Sequence, residues 1–416
     1  MSPGRALILV ENLSVPFDRR VWQECGALTD AGFAVTVICP QGKKRDRDRF
    51  ERRDGVEIHR YPLMAATAGP SGYVREYATS FWRMRRIALR LTHNAPFDVV
   101  HACNPPDLLL PAVRRLKQNG AAFLFDHHDL VPELYESRFG RGRDALYRLT
   151  LAAERLTFRL ADVVVATNES YRRVALTRGG KDPADVFVVR SAPDLARFVP
   201  TEPDPSLRRK RPHLIAYLGV MGPQDGIDHA LRALALLRHR DDWHAMLVGE
   251  GDVLPSMRAL AAELGLGERV EFPGRLPDEE VLRILATADV CLAPDPKNPL
   301  NDVSTMNKIV EYMAMGRPVV AYDLIEARVS AGEAALYASP NEEQSFADCI
   351  QKLLDDVSLR EQLGRVGRLR VEGELSWAHS RRELLRAYER ALEHGHRRRI
   401  ATPSNRTRTA RGCPRG

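Results

Sequence analysis

The feature that most constrains the fold is a repeated alternation of short β-branched segments with longer amphipathic segments. Seven short apolar runs between residues 6 and 189 have the character of strands, and most are separated by stretches with apolar residues spaced three and four apart. A second series of the same kind starts at Leu214. Repeated strand–helix units predict parallel, doubly wound sheets, because a parallel connection needs a crossover helix. We therefore expect an α/β protein.

A proline-rich segment, Arg190–Pro212, separates the two series and has the composition of a linker. A chain of 416 residues is also too long for one ordinary core. We expect a Rossmann-like N-terminal domain over residues 1–200, a linker over 201–212 and a Rossmann-like C-terminal domain over 213–375. Ligands of open parallel sheets bind beyond the carboxyl ends of the strands, so the site is expected in the cleft where the two domains face each other.

The net charge of +7 belongs to one end of the chain. Residues 396–416 carry seven arginines and no acidic residue, so the rest of the chain is near neutral. This composition predicts a disordered basic tail and gives little support to nucleic-acid recognition. The longest stretch without a charged residue, Tyr61–Val74, has 14 residues, fewer than the roughly 20 apolar residues of a spanning helix. The run Ala6–Val10 is too short for a signal peptide, so a cytoplasmic protein is expected.

The segment Asn301–Val320 predicts a loop, a capped helix and a strand. Its candidate N-caps are Asp302, Ser304 and Thr305, and its candidate C-cap is Gly316. Glu311 falls in the middle of the helix, on an otherwise apolar stretch, and a carboxylate there needs a partner. Lys308, three residues earlier, and a pair of ligand hydroxyl groups are both candidates, and the spacing alone does not choose between them.

Three further loops follow predicted strands and can carry chemistry. The loop 219–226 combines glycines with the start of a helix, which suits a phosphate. The loop 125–133 contains His127 and His128, for which a catalytic imidazole, His128 in particular, or a hydrogen bond to a sugar hydroxyl is favoured over a metal site, with a structural cap built from Asp126 and Asp129 as the alternative. The loop 12–20 ends in Asp18, Arg19 and Arg20, where binding of a phosphate or polyhydroxy substrate and helix capping by Asp18 are equally compatible with the residues.

Two other segments have simpler interpretations. The charged run 43–54 contains Asp46 and Asp48 in a D-x-D spacing, but its mixed charges favour a solvated loop. The segment Tyr73–Leu91 has an apolar stripe, aromatic residues and five arginines. This pattern allows contact with an anionic membrane, and we favour the alternative of an ordinary helix packed on the sheet. The scattered cysteines give no C-x-x-C pair and predict no metal site or disulfide framework.

Taken together, these loops resemble the retaining glycosyltransferases of family 4, which have the GT-B fold of two facing Rossmann-like domains. The likeness spans residues 5 to about 393. It is carried by PFDRRVWQECGALTDAGFAVTVICP, DVVHACNPPDLLLPA, FLFDHHDLVPELY, YLGVMGPQDGID, VEFPGRL and KIVEYMAMGRPVV. The order and combination of these motifs are specific, although each motif alone is not.

The resemblance implies a role for several residues. Glu311 would bind the nucleotide ribose and His128 would lie beside the donor sugar. The loop of Gly219 and Gly222 would lie near the diphosphate, and Gly274 and Arg275 near the base. The resemblance also implies that a helix over residues 376–395 crosses back to the first domain. We expect the acceptor on the N-terminal domain, near Asp18, His101 and Asn104.

The chain departs from the family pattern at two places. The first of the family's two glutamates is replaced by Val303, and its usual basic residues in the glycine loop are replaced by Val220 and Asp225. Developing charge on the leaving diphosphate must still be stabilised. Our candidates for this are the side chains of Lys308, Arg19 and Arg20 together with the amides of Ser304 and Thr305.

The expected protein is thus a glycosyltransferase that needs no metal and no other cofactor. It would move a sugar from a nucleotide-diphosphate donor, with UDP as the first choice, to a glycan or lipid-linked acceptor with retention of configuration. Such a reaction suits polysaccharide or glycoconjugate synthesis, and it allows peripheral contact with the cytoplasmic face of a membrane. The alternatives are a nucleotide-sugar epimerase on the same fold and, less favoured, a nucleic-acid or scaffold protein acting through its basic tail.

Overall fold

The computed structural model describes residues 4–42, 46–62, 70–107, 110–139 and 143–401. The N-terminal sheet has eight strands: β1 (Arg5–Leu9), β2 (Ala34–Pro40), β3 (Phe50–Arg53), β4 (Val56–Tyr61), β5 (Val99–Cys103), β6 (Ala122–His127), β7 (Val163–Ala166) and β8 (Val186–Val188). Its helices are α1 (Arg19–Asp30), α2 (Pro70–Asn94), α3 (Leu110–Gln118), α4 (Val131–Phe139), α5 (Ala145–Leu160) and α6 (Glu169–Thr177). The strand order is β3-β4-β2-β1-β5-β6-β7-β8.

The C-terminal sheet has six strands: β9 (His213–Leu218), β10 (Trp243–Val248), β11 (Val270–Gly274), β12 (Val290–Ala293), β13 (Val319–Tyr322) and β14 (Ala335–Ala338). Its helices are α7 (Ile227–Leu236), α8 (Leu254–Glu263), α9 (Asp278–Thr287), α10 (Asn307–Ala314), α11 (Ile325–Ala331), α12 (Glu343–Asp355) and α13 (Val357–Arg370). The last helix of the described residues is α14 (Trp377–Ala401). The strand order is β11-β10-β9-β12-β13-β14, and every pairing is parallel.

These two sheets confirm the predicted fold class of two doubly wound α/β domains. The central strands β5, β6 and β7 are buried along their whole length. Helices cover both faces of such a sheet, which explains why these strands are continuous apolar runs instead of alternating patterns. None of the helices in the described part of the chain combines the length and the hydropathy that a bilayer crossing requires.

The prediction of a solvated loop over residues 43–54 is wrong for its last part, because β3 lies there. This strand pairs antiparallel with β4 at the edge of the sheet. Arg52 stands opposite Glu57 in the pairing and forms an ion pair with it. Opposite charges across an antiparallel pair stabilise a strand, so a charged sequence is compatible with this exposed edge.

The α2 helix packs its apolar stripe against the N-terminal sheet, as the favoured interpretation expects. Met84 and Ala88 are fully buried in the same cluster as Leu7 and Ile38. The opposite side of the helix carries arginines and Trp82, whose exposure is 57%. The alternative, contact with a membrane, stays a prediction.

The last helix, α14, packs on the N-terminal domain, where Leu384 and Tyr388 join the core cluster of Ala6 and Ile8. It continues to Ala401, so residues 396–401 are helical and do not belong to a disordered tail. Their arginines hold this end of the helix in place: Arg398 donates to the carbonyl of Ala121 at 2.9 Å, and Arg399 donates to Asp98 at 2.7 Å. The rest of the predicted tail, residues 402–416, lies outside the described residues.

Candidate active site

His128 immediately follows β6, at the carboxyl edge of the N-terminal sheet, and is 13% exposed. Its Nε2 lies 2.5 Å from Oδ2 of Asp126 and 2.8 Å from Nε of Arg20. A ring nitrogen cannot both donate to the carboxylate and accept from the guanidinium. We assign a hydrogen to Nε2, because the Asp126 carboxylate is ionised and lies closer than Arg20, whose guanidinium also forms an ion pair with Glu24 at 3.2 Å. The other ring nitrogen, Nδ1, makes no hydrogen bond with the described residues and is available to a ligand.

A buried ionic network underlies this histidine. Burial alone would raise the pKa of Asp126, but the charges of Arg20 and His128 outweigh it and hold that pKa well below its usual value. The opposite holds for Glu24, whose pKa is raised well above its usual value by burial and by the neighbouring charge of Asp126. The two carboxyl groups of this network thus have pKa values shifted in opposite directions, beside one buried guanidinium.

The structure places two of the expected functional residues inside this support. Arg20 is 9% exposed and also donates to the carbonyl of Val189 at 2.7 Å, so its guanidinium does not face a diphosphate. His101 has no exposed surface, and its Nδ1 and Nε2 lie 2.9 Å from the hydroxyl of Tyr388 and 3.3 Å from Asp126. Neither residue can touch a substrate in this structure, and both instead hold the element beneath His128.

Asn104 fixes the loop that carries His128. Its Oδ1 accepts hydrogen bonds from the backbone amides of His128 at 2.6 Å and Asp129 at 3.1 Å. Its Nδ2 donates to Asp107 at 2.9 Å and to the carbonyl of Asp129 at 2.7 Å. All hydrogen-bonding positions of the amide are thus engaged. Asn104 is a positioning residue, not part of an exposed acceptor surface.

Four buried donors beneath His128, from Glu24, His101, Cys103 and Asp126, lie within 4.8 Å of one another, a distance that would suit a metal ion. Their chemistry does not fit one. Burial raises the pKa of Cys103 and Glu24 well above their usual values, which favours the thiol and the protonated carboxyl group over ligand anions. The Arg20 guanidinium, 3.0 Å from Asp126, already supplies the positive charge of this cluster.

The α10 helix brings Glu311 to the facing edge of the C-terminal domain. Its carboxylate forms no ion pair or hydrogen bond with any described side chain, although it is partly buried. Burial raises the pKa of Glu311, and the positive charges of Arg19 and Arg197 oppose that shift. A carboxylate in such surroundings needs a hydrogen-bonding partner, and a pair of ligand hydroxyl groups fits this need.

Lys308 is not the partner of Glu311. Its Nζ lies 2.7 Å from Oδ1 of Asp295 and 4.0 Å from Oδ1 of Asp225, over the ring of Tyr217. Burial would lower the pKa of Lys308, but the two carboxylates raise it. The same burial raises the pKa of Asp225 to about 6, against the opposing charge of Lys308. The site thus contains a charged lysine between two carboxylates.

The start of α10 differs from the expectation. The helix begins at Asn307 with Met306 before it, and no side chain caps its first turn. Asp302 instead accepts a hydrogen bond from the amide of Ile325 at 3.0 Å, at the start of α11. The amides of the first turn of α10 therefore present their partial positive charge without a side-chain cap. Gly316 has φ +65° just after the helix, which agrees with its predicted role at the C-terminus.

The loop before α10 contacts the N-terminal domain directly. Asn168 donates to the carbonyl of Val303 and to Oγ1 of Thr305, both at 3.0 Å. Tyr171 lies 3.0 Å from Oγ of Ser304, which itself donates to the carbonyl of Leu300, so the tyrosine is the donor. These contacts place the expected diphosphate residues Ser304 and Thr305 at the domain junction. The amide of Ser304 is also engaged, with the carbonyl of Asn301 at 3.3 Å.

Val303, for which the resemblance leads us to expect a glutamate, packs against an apolar cluster at this junction. The cluster contains Leu130, Ala166, Tyr171 and Leu300. A carboxylate in that position would lose its hydration among apolar groups. Val303 thus contributes to the contact between the domains.

A second set of contacts crosses the cleft near Glu311. Asp278, at the start of α9, forms ion pairs with Arg19 and, at 2.8 Å, with Arg197. The guanidinium of Arg275 lies over the ring of Phe17, 4.2 Å from its centroid. Asp18 caps α1 by accepting from the amide of Val21 at 3.2 Å, which is the capping alternative that the sequence left open. Arg19 is 50% exposed and remains accessible from the cleft.

The glycine loop lies beside Lys308. A Cβ at Gly219 would come within 2.7 Å of the Tyr217 hydroxyl and 3.3 Å of Cε of Lys308. The amide of Gly222 donates to Asp225 at 2.9 Å, so one of the loop amides is already engaged. Gly274 has φ +77°, a conformation that favours glycine, and directs the chain toward Arg275.

Comparison with known proteins decides the family. The model described as "Glycosyl transferase 4-like domain" matches residues 18–192, and the model described as "Glycosyl transferases group 1" matches residues 212–356. The two matches coincide with the two domains and include both His128 and Glu311. The chain belongs to glycosyltransferase family 4.

Other family members are similar over different shares of this chain. D-inositol 3-phosphate glycosyltransferase from Nocardia farcinica is 30% identical over 59% of the chain and 56% of its own length. The chain therefore aligns with little more than half of that relative. GDP-mannose-dependent alpha-(1-6)-phosphatidylinositol monomannoside mannosyltransferase from Mycobacterium tuberculosis is 27% identical over 83% of the chain and 86% of its own length.

A solved structure supports the GT-B fold of this chain. Sucrose-phosphate synthase from Thermosynechococcus elongatus superimposes with a TM-score of 0.76 at 20% sequence identity. The superposition covers 94% of this chain and 100% of the other.

Sequence reasoning missed the residues that support the site from a distance along the chain. Asp295 lies 13 residues before its partner Lys308, and Asn168 contacts Thr305 across 137 positions. The asparagine had one available signal, its position before an amphipathic segment, which indicates the N-cap that it forms for α6. No signal in the sequence indicated the inter-domain contacts of Asn168.

Proposed function

We propose that the chain transfers a sugar from a nucleotide-diphosphate sugar to a glycan or lipid-linked acceptor, with retention of configuration and without a metal. The observation that carries this proposal is the carboxylate of Glu311. It lies at the cleft edge of the C-terminal domain, partly buried and without a partner among the described side chains, while Lys308 is bound to Asp295. A ribose, with two adjacent hydroxyl groups, supplies the donors that this carboxylate lacks.

Three charged features suit the diphosphate. Lys308 keeps its charge between two carboxylates, Arg19 is exposed at the cleft, and the first turn of α10 has no side-chain cap. Arg19 would exchange its ion pair with Asp278 for a charge-assisted hydrogen bond to a phosphate oxygen. These groups stabilise the negative charge that develops on the leaving diphosphate, and a preorganised cation does so without reorganisation.

His128 would contact the donor sugar from the opposite domain. Its Nε2 is held by Asp126, and its Nδ1 makes no hydrogen bond with the described residues, so Nδ1 would bind a sugar hydroxyl group. Contacts such as those of Asn168 with the loop before α10 keep the domains together. A closed cleft excludes water and thereby limits hydrolysis of the donor.

The test is a nucleotide-release assay with UDP-sugars and GDP-mannose, since one relative is named as GDP-mannose-dependent. Loss of hydrogen bonds to a charged group costs about 1.5–3 kcal/mol, so Glu311→Ala should raise KM for the best donor by about tenfold to a hundredfold. Glu361→Ala is the matched control, because Glu361 is an exposed glutamate of α13. Unchanged KM in Glu311→Ala would contradict the proposed ribose contact.

The fate of the anomeric centre is measured separately. Proton NMR of the first product formed from an α-linked donor should show an α-linkage. A β-linked product would exclude retention while leaving the nucleotide assignment intact. Consumption of donor with formation of an epimeric nucleotide sugar, and without an acceptor, would favour the epimerase instead.

A further inference from the structure

A basic pocket of about 430 Å³ opens on the N-terminal domain, between the carboxyl end of β4 and the α2 helix. Five arginines and a tryptophan line it: Arg49, Arg60, Arg83, Arg86, Arg90 and Trp82. Among the described residues, those that line the pocket include no acidic side chain. Its volume lies within the range of small-molecule sites, which is roughly 300–1,000 Å³.

Two of the five arginines are engaged by the protein. Arg60 lies 2.5 Å from Oε2 of Glu51 and 2.6 Å from the carbonyl of Val15, and it is buried. Arg83 donates to the carbonyl of Pro62. These two guanidinium groups therefore form the wall of the pocket, and their hydrogen bonds fix its shape.

The other three arginines have no anionic partner in the described part of the chain. Arg49, Arg86 and Arg90 form no ion pair with a described carboxylate, and Arg86 instead lies over the ring of Trp82, 5.6 Å from its centroid. Together with Arg83, Arg86 and Arg90 occupy positions i, i+3 and i+7 of one helical stripe. Like charges at such spacings repel each other, and a bound anion would remove that repulsion.

The geometry points to a binding site for a phosphate-bearing group in this pocket. The guanidinium groups of Arg86 and Arg90 would bind the phosphate oxygens, because the planar guanidinium matches phosphate geometry. Trp82, which is 57% exposed at the pocket, would contact the apolar part of the same ligand. The nucleotide contacts proposed above involve Arg19, Lys308 and Glu311, none of which lines this pocket, so this is a separate phosphate site.

A phosphate group is common to two sources, the surface of an anionic lipid bilayer and a soluble phosphorylated compound. In both cases the pocket would hold the phosphate on the domain that we assign to the acceptor. Identification of the ligand with the acceptor rests on the proposed function. Binding of phosphate in the pocket does not.

The experiment uses the full chain and follows the fluorescence of Trp82, identified by its loss in Trp82→Phe. The probes are inorganic pyrophosphate and two kinds of vesicle, phosphatidylcholine alone and phosphatidylcholine with phosphatidylglycerol. Arg86→Gln and Arg90→Gln should each weaken binding of the effective probe about tenfold, since each removes charge-assisted hydrogen bonds. Arg85→Gln is the matched control, because Arg85 is an exposed arginine of the same helix that does not line the pocket.

The two arms identify the source. Saturable pyrophosphate binding that depends on Arg86 indicates a soluble ligand, whereas binding only to vesicles with phosphatidylglycerol, again dependent on Arg86, indicates a lipid surface. Absence of binding to both probes, or equal binding by Arg86→Gln and Arg85→Gln, would overturn the proposal. Glu311→Ala separates this result from the proposed function, because it should impair nucleotide release and leave the Trp82 signal unchanged.

Discussion

Asp225→Asn should stabilise the protein at neutral pH, although it removes a charge that lies 4.0 Å from Lys308. Burial raises the pKa of Asp225 from 3.8 to about 6 despite that lysine. Each pKa unit corresponds to about 1.4 kcal/mol, so the ionised carboxylate costs about 3 kcal/mol in the folded state. Asparagine resembles the protonated carboxyl group in shape and in charge, and it avoids this cost.

The pH dependence gives the prediction its sign. A carboxyl group whose pKa is raised on folding costs no stability below its unfolded pKa and costs the full amount above its folded pKa. Asp225→Asn should therefore increase the free energy of unfolding by about 3 kcal/mol at pH 7.5, by about half that at pH 5 and by less than about 1 kcal/mol at pH 4.

Urea titrations at these three pH values, followed by circular dichroism, measure the difference directly. Asp228→Asn is the matched control, because Asp228 is a neighbouring aspartate with 38% of its side chain exposed. Its replacement should change the free energy of unfolding by less than about 0.5 kcal/mol at each pH. A destabilised Asp225→Asn at pH 7.5, or a stabilisation that does not vary with pH, would refute the reasoning.

Three further predictions concern other contacts. Lys308→Ala should lower nucleotide release. It should also lower the free energy of unfolding in urea titrations by about 3–5 kcal/mol, because Asp295 stays buried without its close partner. Near-normal turnover would argue against a role for the lysine at the diphosphate. Asn168→Ala removes two inter-domain hydrogen bonds and should enlarge the radius of gyration in small-angle X-ray scattering, whereas an unchanged radius would show that these bonds do not hold the domains together. Arg398→Ala should lower Tm by a few degrees, because the variant loses the contacts of Arg398 with Ala121 and Asp162. Replacement of its exposed neighbour, Arg397→Ala, should leave Tm unchanged. Equal Tm values for the two variants would contradict docking by Arg398.

The fold could be predicted because its main strands have a strong local signal. The β-branched runs 56–61 and 290–293 of the sequence, for example, coincide with β4 and β12. The missed strands are those whose stability comes from their neighbours. β3 has the charged sequence FERR and depends on ion pairs with β4, and β14 is a short edge strand of the second sheet. Edge strands need not show the apolar pattern by which central strands are recognised.

The candidate site could be predicted less well, because neighbouring residues face different directions. Arg19 and Arg20 are adjacent in the sequence, but successive residues of a helix are separated by about 100° around its axis. Arg19 consequently faces Asp278 at the cleft, whereas Arg20 points inward to Asp126. The burial of His101 could not be predicted either, since the sequence does not show that α14 returns to cover this residue.

The position of α14 has a consequence for the order in which a working protein can be assembled. The hydroxyl of Tyr388 is hydrogen-bonded to His101, and His101 is hydrogen-bonded to Asp126. Asp126 in turn holds His128. During synthesis the first domain emerges long before this tyrosine, so its sheet remains without one covering helix until the second domain has also been made. A chain that stops before α14 would therefore lack part of the support beneath His128, even with both sheets complete.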